Sequence, residues 1–151
     1  MKIIISLVLT LTMFNLAKAQ VKKPVHWSFS SKMINATTFE IHLTAAIDAG
    51  WHIYSQTTPD GGPVPTSIKF GKNPLITLIG KTKEVGKLEK HKEPLFGGID
   101  VKQFSDNVDF VQTIKLKGYV KITVNGSVSF MCCNDHECLP PSKQPFSIVL
   151  E

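Results

Sequence analysis

Apolar and polar residues alternate along Thr38-Phe39-Glu40-Ile41-His42-Leu43-Thr44-Ala45, the pattern of a strand with one buried face. Val108 to Leu116 alternates less strictly. Val120 to Val124 and Ser127 to Phe130 continue the theme, and Asn125-Gly126 between them reads as a turn or bulge. Weaker strand candidates are 25–31, 51–56, 67–71, 75–81 and 145–150. Turn residues recur at Pro59-Asp60-Gly61-Gly62-Pro63, Gly71-Lys72-Asn73-Pro74, Gly97-Gly98 and Pro140-Pro141. No stretch carries a helical period with caps. Several short strands at this spacing predict an all-β sandwich in a single domain, without repeats or an interdomain linker.

The first residues follow a different logic. Met1-Lys2 is a short positive start, Ile3 to Leu16 is almost wholly apolar, and Ala17-Lys18-Ala19 supplies small residues around a cut. That predicts a secretory signal peptide over residues 1–19 and a soluble mature domain over 20–151. The apolar run falls short of the ~20 residues that span a bilayer. Loss of Lys2 and Lys18 takes the formal charge from +5 to +3. Arginine, the usual reader of phosphates and base edges, is absent from the sequence, which argues against nucleic-acid binding. Lysines between Lys81 and Lys92 are diluted by Glu84, Glu89 and the following Glu93, so this stretch reads as a solvated edge.

Export changes the meaning of the cysteines, because an exported chain meets an oxidising compartment. All three cysteines lie between positions 132 and 138, and an odd number leaves one unpaired. A bridge here closes a very small loop and has little value as an entropic staple. The mature chain is also long enough to fold without one. Chemistry therefore explains the cluster better than stapling.

The local sequence is Phe130-Met131-Cys132-Cys133-Asn134-Asp135-His136-Glu137-Cys138-Leu139-Pro140-Pro141. Even-numbered residues from Val120 to Val124, then Val128 and Phe130, are apolar. Continuing that phase points Cys132 inward and Cys133 outward. A vicinal Cys132–Cys133 bridge suits disulfide geometry badly. Cys133 with Cys138 is the preferred pair, with Cys132 as a small buried hydrophobe; Cys132 with Cys138 stays open. An exposed bridge at a strand end is the labile kind, and His136 is placed to stabilise a thiolate that Asp135 and Glu137 oppose. The residues alone leave a structural loop bridge equally open. A metal is a third reading, since Cys133, His136 and Cys138 are soft ligands for copper(I) or zinc. The spacing is not that of a zinc knuckle, no second ligand pair accompanies it, and His26, His42, His52 and His91 are scattered, so no metal or cofactor is expected.

Three blocks in this order resemble a known family, the periplasmic N-terminal domain of the transmembrane thiol-disulfide reductase DsbD. Gly50-Trp51-His52-Ile53-Tyr54 followed by Pro59-Asp60-Gly61-Gly62-Pro63-Val64-Pro65-Thr66 resembles its early strand and glycine- and proline-rich loop. Glu93-Pro94-Leu95-Phe96-Gly97 resembles its cap loop, and Cys133 to Cys138 with Leu139-Pro140-Pro141 its redox pair and following prolines. The family's best-known member has five residues between the cysteines where Cys133 and Cys138 enclose four; Cys132 would restore five. Nothing in these 151 residues resembles the reductase's transmembrane and thioredoxin-like parts.

The resemblance implies an immunoglobulin-like β-sandwich. It implies a protein-disulfide reductase that is periplasmic and monomeric, passing electrons from a thioredoxin-like donor or transmembrane reductase to oxidised exported proteins. By the family's pattern Cys138 forms the mixed disulfide with partners, Cys133 resolves it, and Phe96 shields the pair, with Glu93, Leu95, Tyr54 and His136 around it. Each residue also has a plainer reading. Trp51 and Tyr54 read as packing, Phe96 as a surface aromatic, Glu93 as a solvated loop acid and His136 as a polar loop residue. A non-catalytic binding module with a structural bridge, or a copper carrier, is the competing class.

Overall fold

The computed structural model describes residues 22–150 and contains eleven strands. They are β1 (Val25–Asn35), β2 (Thr38–Ile47), β3 (His52–Tyr54), β4 (Ser67–Phe70), β5 (Ile76–Gly86) and β6 (Glu89–Glu93). β7 (Ile99–Ser105), β8 (Asn107–Leu116), β9 (Ile122–Phe130), β10 (Cys132–Cys133) and β11 (Ser142–Leu150) complete the set. One turn of 3-10 helix, Pro94–Phe96, separates β6 from β7. The expected leader over 1–19 lies outside the described residues.

The strands form three antiparallel sheets: β1-β2-β8-β5, β11-β9-β4 and β10-β3-β7-β6. Alternation on β2 and β8 turns Phe39, Ile41, Leu43, Ala45, Val108, Phe110, Ile114 and Leu116 to one side. Those side chains meet Ile122, Val124, Val128 and Phe130 of β9 and Phe146, Ile148 and Leu150 of β11. Ile53, Phe104 and Cys132, from the third sheet, belong to the same core. Trp27 of the edge strand β1 closes the core, its ring 5.3 Å from Phe130 and 5.9 Å from Phe110. The result is a sandwich, as the alternation predicts.

Two expectations need correction. Asn125-Gly126 is not a turn, because β9 runs unbroken through it. A Cβ on Gly126 would lie 2.3 Å from Phe146 Cζ and 2.5 Å from the carbonyl oxygen of Lys69, so the glycine lets β4 and β11 pack closely on both flanks of β9. The strand also begins at Ile122, leaving Val120 exposed in the preceding loop.

β6 and β7 were missing from the predicted strands. β6 is hidden by its lysines; it is an edge strand, and lysines on an edge deter pairing with other chains. β7 buries Val101 on one face and Phe104 on the other, which breaks the alternation. The third sheet lies between two apolar clusters: the main core on one face, and Tyr54, Val101 and Cys133 on the other. This second cluster contains the cysteine bridge.

Candidate redox site

Register brings the site together. Cys132 pairs with Ile53 and Cys133 with His52 across β10 and β3. β3 continues the ladder, His52 against Ser105 and Tyr54 against Gln103, and β6 adds Glu93 against Ile99. Because side chains alternate, Cys132, Ile53 and Phe104 face the main core. Cys133, His52, Tyr54 and Val101 face the opposite way.

Cys133 and Cys138 are joined in a disulfide, and Cys132 is a free, buried cysteine. The strand phase placed Cys132 correctly. It was incomplete for Cys133, which turns away from the main core but is not exposed. Phe96, Ile99 and Met131 pack with Cys138 around the Tyr54, Val101 and Cys133 cluster, and Cys133 is 0% exposed. Cys138 is only partly buried. One sulfur-bearing residue is thus sealed and the other reachable.

The four residues between the cysteines are held by one side chain. Asn134 Oδ1 accepts hydrogen bonds from the backbone N–H of His136 (2.9 Å) and of Glu137 (2.8 Å). The Asn134 N–H donates to the Glu137 carbonyl (2.9 Å), and the Leu139 N–H donates to the Cys132 carbonyl (2.9 Å). An asparagine that turns the chain on its own carboxamide lets a short loop close without glycine. Lys22 pairs with Glu137 at the loop's edge. His136 stands exposed at its tip, away from the buried groups.

Beneath the bridge lies a polar network that the sequence reading did not assemble. Tyr54 Oη donates to Glu93 Oε2 at 2.6 Å, and His52 Nε2 lies 3.2 Å from the same oxygen and 3.1 Å from Tyr54 Oη. All three residues are buried, so Glu93 is no solvated loop acid. Burial, reinforced by the neighbouring Glu93, pushes the Tyr54 hydroxyl well above its ordinary range and keeps it a donor. Burial lowers the His52 imidazole, with Glu93 opposing and failing to offset it. The Cys132 thiol is pushed up to about 12 by burial, so it is protonated and unreactive at neutral pH. His52 is the residue that sequence reasoning missed. Its signal was the two-residue step from His52 to Tyr54, which puts both on the Cys133 face.

The cap loop grows out of this network. Glu93 anchors its start, Pro94–Phe96 makes the helical turn, and Gly97 and Gly98 leave it at φ +74° and +76°, where residues with a side chain are strained. The Gly97 N–H donates to the Pro94 carbonyl and the Gly98 N–H to the Glu93 carbonyl. That turn lays Phe96 against the cluster and leaves Leu95 exposed. The glycine- and proline-rich loop backs it: a Cβ on Gly62 would fall 2.0 Å from Ile99 Cδ1. Thr66 Oγ1 and Thr58 Oγ1 tie this loop to the carbonyls of Tyr54 and Lys102.

Among the described residues, no group of three or more His, Cys, Asp or Glu side chains is placed to hold a metal ion. No helix among them is long and apolar enough to cross a membrane.

The chain matches the family model of the DsbD N-terminal region, thiol:disulfide interchange protein, over residues 18–150. It belongs to that family. Among solved structures it is similar to the N-terminal periplasmic domain of ScsB from Proteus mirabilis, with 15% identity and a TM-score of 0.60. That likeness covers 85% of this chain and 47% of the other, so the chain spans about half the length of that relative. The DsbD N-terminal domain of Neisseria meningitidis in its reduced form aligns at 13% identity and a TM-score of 0.45, covering 87% of this chain and 91% of that one. A Neisseria complex between the DsbD and PilB N-terminal domains aligns at 11% identity and a TM-score of 0.48, covering 87% and 88%. No curated protein matches the chain. Membership in a thiol-disulfide interchange family gives the buried bridge a redox context.

Proposed function

We propose that this DsbD-type domain is a periplasmic protein-disulfide reductase that exchanges its Cys133–Cys138 bridge with partner thiols, Cys138 being the sulfur that partners meet. The carrying observation is the asymmetry of the pair: Cys133 is sealed under Tyr54 and Val101, while Cys138 is partly exposed. An attacking thiolate must reach sulfur, and Cys138 is the more exposed residue of the pair.

In the charging half-reaction, a thiolate of a thioredoxin-like donor or a transmembrane reductase attacks Cys138 Sγ. The Cys133–Cys138 bond breaks, and Cys133 leaves as a thiolate and takes a proton. The donor's second thiol then attacks its own sulfur in the mixed disulfide. That releases Cys138 as a thiolate, which takes the second proton, so the domain gains two electrons and two protons while the donor, having lost both, becomes a disulfide. The discharging half-reaction reverses these steps on an oxidised exported protein, with Cys138 attacking and Cys133 resolving. The Tyr54, Glu93 and His52 network supports both halves by fixing the floor beneath Cys133. Phe96 and the cap loop exclude water and small thiols until a protein displaces them.

Trapping tests the assignment. A Cys133→Ala variant should accumulate a mixed disulfide through Cys138 with a thioredoxin-like protein, because its resolving thiol is gone. If only Cys138→Ala traps a partner, the roles are reversed. The reduction potential tests the class. A value below about −300 mV would mark a structural bridge and refute the reductase reading.

A further inference from the structure

A second surface lies at the far end of the sandwich. β2 leaves the site region at Ile47, whose N–H donates to the Asp106 carbonyl beside β7, and runs back to Thr38. Ten residues of strand at ~3.3 Å each put the two ends roughly 30 Å apart. Three segments meet at the Thr38 end: the β1–β2 hairpin end (33–38), the turn into β5 with its first residues (75–77), and the β8–β9 connection with its flanking residues (115–122). The Leu116 N–H donates to the Thr37 carbonyl (2.7 Å) and the Lys117 N–H to the Leu75 carbonyl (2.9 Å), while Met33 pairs with Phe39.

This tip is apolar where a soluble domain is normally polar. Met33, Ile34, Leu75, Tyr119 and Val120 are all exposed there, Met33 at 54% and Tyr119 at 83%. An open hollow of about 360 Å³ lies among Met33, Phe39, Leu116, Tyr119 and Val120. Exposed apolar side chains gathered around one hollow, as Met33, Tyr119 and Val120 are here, mark a contact surface.

Charge narrows the partner. Lys115, Lys117 and Lys121 are exposed in the same segments, and none of the three segments contains an aspartate or glutamate. The next acid along β2, Glu40, faces His42 at 3.9 Å. A second copy of so cationic a tip would repel the first. The apolar side chains stand on the end of β1, the turn into β5 and the β8–β9 connection, beside lysines, and apolar groups mixed with a tyrosine and lysines suit the boundary between lipid headgroups and acyl chains. Protein interfaces favour arginine, and this chain has none.

We propose that this tip rests on an anionic lipid bilayer. Met33, Ile34 and Tyr119 enter the headgroup region, and Lys115 and Lys117 meet lipid phosphates. The cysteine bridge, a strand's length away, is then held off the membrane and turned toward the aqueous side. The proposal is independent of which cysteine partners attack.

The test uses the chain from Gln20 onward, which contains every strand among the described residues. It should co-sediment with phosphatidylglycerol vesicles at low salt and not with phosphatidylcholine vesicles. Salt near ~1 M, where the Debye length is ~3 Å, should release it. Lys115→Gln with Lys117→Gln should weaken binding by about fivefold per lysine. Tyr119→Ser should weaken it without lowering the melting temperature, since the ring is exposed, and without altering the yield of mixed disulfide from Cys133→Ala. Failure to bind phosphatidylglycerol vesicles, or equal binding to both lipids, would overturn the proposal. So would a Tyr119→Ser variant that binds vesicles normally but no longer captures a membrane reductase, since the tip would then be a protein-docking surface.

Discussion

Truncating Phe96 to alanine separates a cap from a core residue. The ring packs against the Tyr54, Val101 and Cys133 cluster but remains partly exposed. Removing a fully buried phenylalanine costs about 3–5 kcal/mol, so a half-buried one should cost about half of that, ~1.5–2.5 kcal/mol. If Phe96 caps the bridge, a ring–sulfur contact contributes only ~0.3–1.5 kcal/mol of this. With tenfold in rate for every ~1.4 kcal/mol, losing that contact should speed attack on the bridge by roughly two- to tenfold. The assay is reduction of the oxidised domain by excess dithiothreitol in native buffer, followed by alkylation of the released thiols. Denaturant melts of the same variant give the stability loss. Leu95→Ala is the control: that side chain is exposed and outside the cluster, so its rate should match wild type. An unchanged rate for Phe96→Ala, or a faster one for Leu95→Ala, would refute the cap. A stability loss well above 3 kcal/mol would make Phe96 a core residue instead.

Three further expectations come from the buried groups. Tyr54→Phe removes the 2.6 Å bond to the buried Glu93 carboxyl and should cost ~1.5–3 kcal/mol in a urea melt; a loss under ~0.5 kcal/mol would mean the network contributes nothing. Burial lowers the His52 imidazole, so on acidification the unfolded chain takes up that proton first, near pH ~6.5, and the folded chain only later. Stability should therefore fall as pH drops below about 6.5, and a His52→Asn variant should show a shallower fall; a steeper fall in the variant would reverse the sign. Cys132, buried and with its thiol raised to about 12, should resist iodoacetamide in the folded oxidised protein and react only after unfolding. Peptide mapping that finds Cys133 alkylated instead would reassign the bridge to Cys132 and Cys138.

Period-two alternation carried most of the fold, because a strand with one buried face writes its orientation directly into the sequence. Phe39, Ile41, Leu43 and Ala45 announced β2, and the phase of Ile122 to Phe130 foretold that Cys132 faces the core. Strand phase favoured Cys133 over Cys132 as the partner of Cys138 while spacing left Cys132 open, and three short blocks pointed to the family. Alternation reports which face a side chain occupies, though, and not what covers the opposite face. Cys133 was therefore read as exposed, when the cap loop and the second apolar cluster bury it. The same gap hid β7, whose Val101 and Phe104 bury on opposite faces, and made a buried Glu93 look like a loop acid. His52 and Glu93 are 41 residues apart in sequence, and only the β3-β7-β6 register brings the two side chains within 3.2 Å. Gly126 completes the contrast: Asn-Gly favours a turn locally, but the close approach of Phe146 and of the Lys69 carbonyl requires a residue without a side chain in the middle of a strand. Local preference decided where strands could form; the packing of three sheets decided which polar groups lost their water and came to lie beneath the disulfide.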